Sequence, residues 1–221
     1  MYLVIPTIKG YEVALEMLQK SIPSAWRSKI VYVYQKESED SIKQEDNGCI
    51  TVRLKRNIYE YANWIAAQMV LDHELAKPEE WFLFLHDTCK FGPRSQDLIE
   101  KLLAKLNVST TNLMWMSLNG QANICLIRQP MIAYGYEVYK NVMKMTKEEA
   151  VQYEWKWLTQ PSPLCPKLWP NGQTAVPEVC QLMGDRPIYG PNLRSVGYFY
   201  AIDLEKYYYE MREGRPHIEA P

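Results

Sequence analysis

The chain has 221 residues, with 25 Lys and Arg against 26 Asp and Glu and 47% hydrophobic residues. A net charge of -1 removes the basic excess that a dedicated nucleic-acid binder carries, and the apolar content excludes a disordered chain. No apolar run reaches the roughly 20 residues of a membrane span, and the opening Met-Tyr-Leu-Val-Ile has no basic segment before it, so neither an integral membrane protein nor a secretory leader is expected.

In chain order, Tyr2 to Ile5 reads as a strand closed by Pro6 and Thr7. Tyr11, Ala14, Leu15 and Leu18 fall at helical spacing, and that helix ends near Ser21-Ile22-Pro23. Ile30 to Tyr34, dense in β-branched and aromatic side chains, reads as a second strand. After a polar stretch, Ile50 to Leu54 reads as another. From Ile58, residues Ala62, Ile65, Ala66 and Met69 hold one helical face, with Glu60, Trp64, Gln68 and Asp72 on a different one. Pro78 marks the end of this helix. Trp81 to Leu85 is a continuous apolar run of the kind a fully buried strand requires. Gly92 and Pro93 make a turn, and Ser95 stands where it can cap a helix whose Leu98, Leu102 and Leu106 align. Strands around Leu113 to Met116 and Asn123 to Ile127 follow, joined by a turn at Asn119-Gly120. Alternating strands and helices of this kind predict an α/β fold with a mainly parallel sheet.

The last third changes character. Thr146 and Glu149 resemble a capping box opening a helix through Trp157. Seven of the 14 prolines lie between Pro161 and Pro191, and so many fixed φ angles and missing donors exclude a long regular element there. Leu164, Trp169, Val176 and Leu182 in the same stretch point to an ordered, irregular region. Val196 to Ile202 is expected as a strand and Leu204 to Met211 as a Tyr-rich helix. The five cysteines (Cys49, Cys89, Cys125, Cys165 and Cys180) include no Cys-x-x-Cys pair. Neither a zinc site nor a disulfide framework is indicated, and a reducing, cytoplasmic setting is the expectation.

The sharpest chemical feature is Leu85-His86-Asp87-Thr88-Cys89, after the best strand. Ligands of open α/β sheets bind outside the carboxyl ends of strands. An acid placed there can hold Mg²⁺ or Mn²⁺ through oxygen; equally, Asp87 can cap the following turn. No Gly-x-Ser-x-Gly is present, and Cys89 reads as a small buried residue rather than a nucleophile.

Three segments resemble a known family. Asn57-Ile-Tyr-Glu60-Tyr61 is similar to an Asn-x-x-Glu-Tyr segment, and Phe84-Leu-His-Asp87 to a strand ending Phe-Leu-His-Asp-Asp. Asp185-Arg-Pro-Ile-Tyr189-Gly190, Arg194 and Ile202-Asp203-Leu-Glu-Lys206 are similar to a late Asp-x-Tyr-Gly, Arg and Asp-Leu-x-Lys pattern. Together they resemble small nucleotide-sugar glycosyltransferases of the GT-A type. The resemblance implies a single GT-A-like, Rossmann-like domain over residues 1–221. Its donor half would span 1–110, and 111–221 would supply the acceptor half and the irregular Pro/aromatic-rich closing loops.

It further implies a nucleotide-diphosphate sugar donor, a glycan or other hydroxyl acceptor and a Mn²⁺ or Mg²⁺ cofactor. The donor residues would be Pro6, Thr7, Asn57, Glu60, His86, Asp87, Arg194 and Lys206, with the two cations stabilising the leaving diphosphate. For Glu60 a position favouring the helix dipole explains the residue as well. Asp185, ahead of Glu148, would serve as base in an inverting transfer. Trp169, Tyr189 and Tyr198 would offer acceptor-facing rings, with core filling as the alternative. Thr88 departs from the pattern, since a second acid is expected there. Either His86, Asp185 or His217 completes a metal site with Asp87, or the diphosphate itself holds the metal, or activity is lost. An inactive glycosyltransferase-like binding domain and a nucleotidyltransferase therefore stay as alternatives, the latter with only Lys9-Gly10 for a phosphate loop.

Overall fold

The computed structural model describes residues 1–108, 115–117, 124–150, 152, 197–199, 202–212 and 215–219. Strand β1 (Tyr2–Thr7) leads through helix α1 (Glu12–Ser21) to β2 (Ile30–Gln35), then to β3 (Ser41–Gln44) and β4 (Ile50–Leu54). Helix α2 (Ala62–Asp72) returns to β5 (Phe82–Phe84), and a short strand β6 (Cys89–Phe91) precedes helix α3 (Ser95–Val108). Strands β7 (Trp115–Ser117) and β8 (Cys125–Ile127) and helix α4 (Met131–Tyr139) follow. The later elements are β9 (Gly197–Phe199), β10 (Leu204–Lys206), β11 (Tyr208–Arg212) and β12 (Arg215–Glu219).

Seven strands make the central sheet in the order β3-β4-β2-β1-β5-β8-β7. Its middle, β4-β2-β1-β5, is parallel, while β3, β8 and β7 pair antiparallel at the two edges. The architecture is thus mixed α/β with a mostly parallel central sheet and helices on both faces. Side chains alternate across each strand. Leu3, Ile5, Ile30, Leu83, Leu85 and Leu126 pack with α1 and α3 on one face. Val4, Val31, Val33, Phe82, Phe84 and Ile127 pack with α2 and α4 on the other. Burial on both faces is why these strands read as unbroken apolar runs.

Four expectations change. Trp64, read on a different face of α2 from Ala62, Ile65, Ala66 and Met69, is buried as they are, at 1% exposed. Helix α4, which the sequence reading did not anticipate, covers that side. The indole packs edge-on to Phe84 with ring centres 5.4 Å apart, and lies 6.4 Å from the Tyr139 ring. A Cβ added at Gly135 of α4 would overlap the indole, so glycine, a poor helix former, is what admits Trp64. Second, Leu204 to Met211 is not a helix. Leu204, Lys206, Tyr207 and Tyr209 are buried while Glu205 and Tyr208 keep partial exposure, an alternation that β10 and β11 use on either side of residue 207. Third, the polar stretch after β2 contains edge strand β3, and β6 follows the Asp87 turn. Fourth, Ser95 does not accept a helix amide; its hydroxyl donates to the carbonyls of Gly92 at 2.9 Å and Asp203 at 2.5 Å.

The capping box holds. Thr146 N–H donates to the Glu149 carboxylate at 2.7 Å, and Glu149 N–H to the Thr146 hydroxyl at 3.2 Å. The helix beyond it toward Trp157 falls outside the described residues, apart from position 152, as does the turn at Asn119-Gly120. No described helix is long and apolar enough to cross a membrane.

Gly135→Ala is expected to force Trp64 and α4 apart and to cost ~1–3 kcal/mol or more, as overpacking does. Denaturant unfolding checks this. A wild-type midpoint in the variant would show that the contact between α2 and α4 is not close-packed.

Candidate functional site

Strand β1 is flanked by β2 on one side and β5 on the other, both parallel to it. Helix α1, which leaves β1, packs on one face of the sheet, and α2, which leads into β5, packs on the opposite face. The connections diverge between β1 and β5, and such a divergence point is where open α/β sheets place a ligand crevice, beyond the carboxyl ends of the strands. Thr7 closes β1 there, and His86 and Asp87 follow β5.

Asp87 is 7% exposed and Thr7 is 4% exposed. The structure encloses this carboxylate. Burial is the largest influence on the acid and pushes its pKa up to about 7. Thr7, the Lys206 charge and the backbone of Asp87 and Thr88 act in the opposite sense and favour the charged form. Asp87 therefore lies within the electrostatic reach of a cation. The enclosing side chains come from both ends of the chain. Tyr209 donates to the Gly10 carbonyl at 3.0 Å and Tyr207 to the Ala14 carbonyl at 3.2 Å. The rings of Tyr11 and Tyr209 lie 4.8 Å apart. Burial, then the Asp87 charge, raises the pKa of both Tyr11 and Tyr207, which marks both phenols as neighbours of the acid.

Backbone pairing delivers Lys206. In the antiparallel ladder of β10 on β6, Lys206 stands opposite Cys89, and Tyr207 N–H donates to the Thr88 carbonyl at 3.1 Å. The ladder is latched at Asp203, whose φ of 52° lies where non-glycine residues seldom go. Its carbonyl accepts Gly92 N–H at 2.7 Å and the Ser95 hydroxyl, and its carboxylate accepts Arg94 N–H at 2.7 Å. A Cβ at Gly92 would overlap that carboxylate. Held this way, Lys206 is 7% exposed and acts electrostatically on His86, Asp87 and Cys89 together. Burial and then Lys206 keep the His86 pKa well below its ordinary value, so the imidazole is neutral at pH 7. Burial pushes the Cys89 thiol up to about 11, and Cys89 is the inert buried residue expected.

The β4–α2 loop approaches from the other side. Gln35, buried at the end of β2, accepts Ile58 N–H and donates to the Tyr59 carbonyl, both at 2.9 Å. This holds Tyr59 at a φ of 53° and brings it into the electrostatic range of Tyr11. Asn57 bridges to Lys144 through its backbone. Its side chain and that of Glu60, on the short turn Tyr59–Tyr61, are half-buried. Beneath the crevice the fully buried Asn63 amide donates to the Leu85 carbonyl at 3.4 Å.

The structure thus gathers Thr7, His86, Asp87 and Lys206. Pro6 is buried in β1, opposite Val33 of β2. Glu148 is exposed on the turn that Tyr61 secures by donating to the Ala150 carbonyl at 2.7 Å. His217 lies across from Glu210 in the β11–β12 hairpin. Asp185, Arg194, Trp169 and Tyr189 fall outside the described residues; Tyr198 pairs through its backbone with Glu205. Sequence reasoning missed Gln35, Asp203 and the covering tyrosines. A polar residue ending an apolar strand, and Asp203 within Ile-Asp-Leu-Glu-Lys, were the available signals.

A divalent ion needs several oxygen or nitrogen ligands converging on one point. Among the described residues no three His, Cys, Asp or Glu side chains do so. At Asp87 a single carboxylate, its neighbour Thr88 and the Lys206 cation occupy the place where two acids were expected. Among the described residues this donor set does not by itself complete a Mn²⁺ or Mg²⁺ site.

No protein-family model and no curated protein matches the chain. Among solved structures, one titled "crystal structure of a glycosyltransferase involved in the glycosylation of the major capsid of PBCV-1" is similar at 11% sequence identity with a TM-score of 0.38. The match covers 63% of this chain and 66% of that one, just under two thirds of its length.

The raised pKa of Asp87 has a consequence for stability. Between the ordinary value of 3.8 and about 7, the folded chain binds a proton that the unfolded chain has released. Stability from this group is therefore present at low pH and lost as pH rises through that window. Asp87→Asn is expected to remove this slope, so that its stability relative to the wild type improves from about pH 5 to about pH 8 by on the order of a few kcal/mol. Unfolding curves at both pH values check it; parallel pH profiles would show that Asp87 is ionised throughout.

Proposed function

We propose that the chain is a glycosyltransferase that moves a sugar from a nucleotide-diphosphate donor to a hydroxyl acceptor, with a glycan as the acceptor class. One observation carries this reading: Thr7, Asp87 and Lys206 converge at the carboxyl ends of β1 and β5, the divergence point where open α/β sheets take their ligands. In the proposed transfer the bond between the anomeric carbon and the β-phosphate oxygen breaks, and its electron pair leaves with the diphosphate. The acceptor oxygen bonds to the same carbon and gives up its proton. Charge that develops on the leaving diphosphate is met by Lys206, with Arg194 as the second cation.

Asp87 and Thr7 are buried at this end of the sheet with Lys206, and His86 adjoins Asp87 in sequence. Pro6, Asn57 and Glu60 are the proposed contacts to the nucleoside. For an inverting transfer Asp185 is the proposed base, followed by Glu148, whose exposed turn is docked beside the β4–α2 loop. Trp169, Tyr189 and Tyr198 are the proposed acceptor-side rings, suited by their flat apolar faces to sugar C–H groups.

A second reading, a glycosyltransferase-like domain that binds glycan without transfer, is favoured by the enclosure of Asp87 and by Thr88. The two readings separate on turnover. A thermal-shift panel with uridine, guanosine and thymidine diphosphate sugars is expected to show stabilisation by one nucleotide class, ~2.7 kcal/mol at about 100 times Kd. Release of the free nucleoside diphosphate in the presence of an acceptor then reports transfer. Glycan binding with no nucleotide effect supports the second reading, and no response to any nucleotide or glycan sinks both.

A further inference from the structure

We infer that this site binds its nucleotide-diphosphate ligand without a divalent cation, with the Lys206 ammonium standing where GT-A-like sites are expected to hold a metal. The inference rests on the glycosyltransferase reading and deepens it.

Three independent features support it. The first is the local charge balance. Buried Asp87 stands two residues before Cys89, and buried Lys206 pairs opposite Cys89. A divalent ion brought to Asp87 meets one carboxylate and repulsion from the ammonium, whereas a diphosphate meets a desolvated cation.

The second is geometry. Lys206 does not reach the site on a free, exposed stem. The pairing of β10 with β6 sets its register opposite Cys89, and Asp203 pins the preceding turn through Gly92, Arg94 and Ser95. A cation fixed in advance of ligand binding stabilises developing negative charge without reorganisation, which is the service a metal otherwise supplies. The third is the replacement at position 88. Thr88 is buried and offers a neutral hydroxyl where a second acid is expected, while its carbonyl is engaged by Tyr207 N–H in the segment that carries the lysine.

The experiment uses the full chain, treated with EDTA and then titrated with the diphosphates and diphosphate sugars of uridine, guanosine and thymidine, with and without Mn²⁺, by calorimetry. Binding in EDTA is expected, with Kd changing less than about threefold when Mn²⁺ is added. Lys206→Gln is expected to weaken binding about tenfold or more, and Lys206→Arg to restore most of it. Lys101→Gln, on the exposed face of α3 beside Asp97, is expected to leave it unchanged.

Binding that appears only with Mn²⁺ overturns the inference and leaves the glycosyltransferase reading standing. An absence of binding with and without Mn²⁺ overturns both. Equal binding by the wild type and a folded Lys206→Gln protein overturns the role of the lysine. If that variant does not fold, the EDTA titration of the wild type still decides the metal question.

Discussion

The carboxyl of Asp87 is taken out of water at the point where the sheet's connections diverge, and the surrounding structure is arranged to make that tolerable. A buried acid is costly unless it is hydrogen-bonded and paired. Its partners come from the end of β1, from its own turn and from β10. The compensation is incomplete, which is why burial still dominates the acid's titration. Lys206 can contribute only if β10 lies in one register on β6. That register depends on Asp203 holding a left-handed backbone against a turn 108 residues away, and the turn admits Asp203 because Gly92 has no side chain. One electrostatic requirement is thereby transmitted through a ladder, a strained residue and a glycine.

The opposite face of the sheet is organised by shape. Trp64 fills the space between β5 and α4, and Gly135 makes the opening for it. Arg56, nearly buried, ties the same region together, donating to the Lys140 carbonyl at 3.0 Å and pairing with Asp40 at 3.3 Å. The adjacent Asn57 is bridged to Lys144, and the Thr146–Glu149 turn docks on Tyr61. These contacts fix the β4–α2 loop from outside while Gln35 fixes it from within. The β4–α2 loop is therefore held by hydrogen bonds on both sides.

For chemistry, a fixed ammonium and a divalent ion are different tools. The metal polarises several oxygens at once and brings its own charge from solution; the lysine is delivered by the fold and is present whenever the chain is folded. A site built on Lys206 links ligand binding to the integrity of the C-terminal strands. The same segment places Tyr207 and Tyr209 over Gly10 and Ala14 at the start of α1, so this end of the sheet is covered by residues distant in sequence.

Much of this was legible in the residues alone. Unbroken apolar runs announced β1 and β5, and β-branched density announced β2 and β4. Spacing at helical period announced α1, α2 and α3, because each of those elements buries a face whose pattern is local. The position of Asp87 at a strand's carboxyl end was equally a matter of local order. What only the tertiary structure decided was which way Trp64 faces, that residues 204–211 alternate as strands, and that Asp87 is enclosed with Lys206 rather than open to solvent. Each of these depends on a partner distant in sequence (α4 for the indole, β6 for β10, the C-terminal tyrosines for the acid). Periodicity within a single segment carries no record of such a partner, since burial from outside, not the segment's own pattern, sets the outcome.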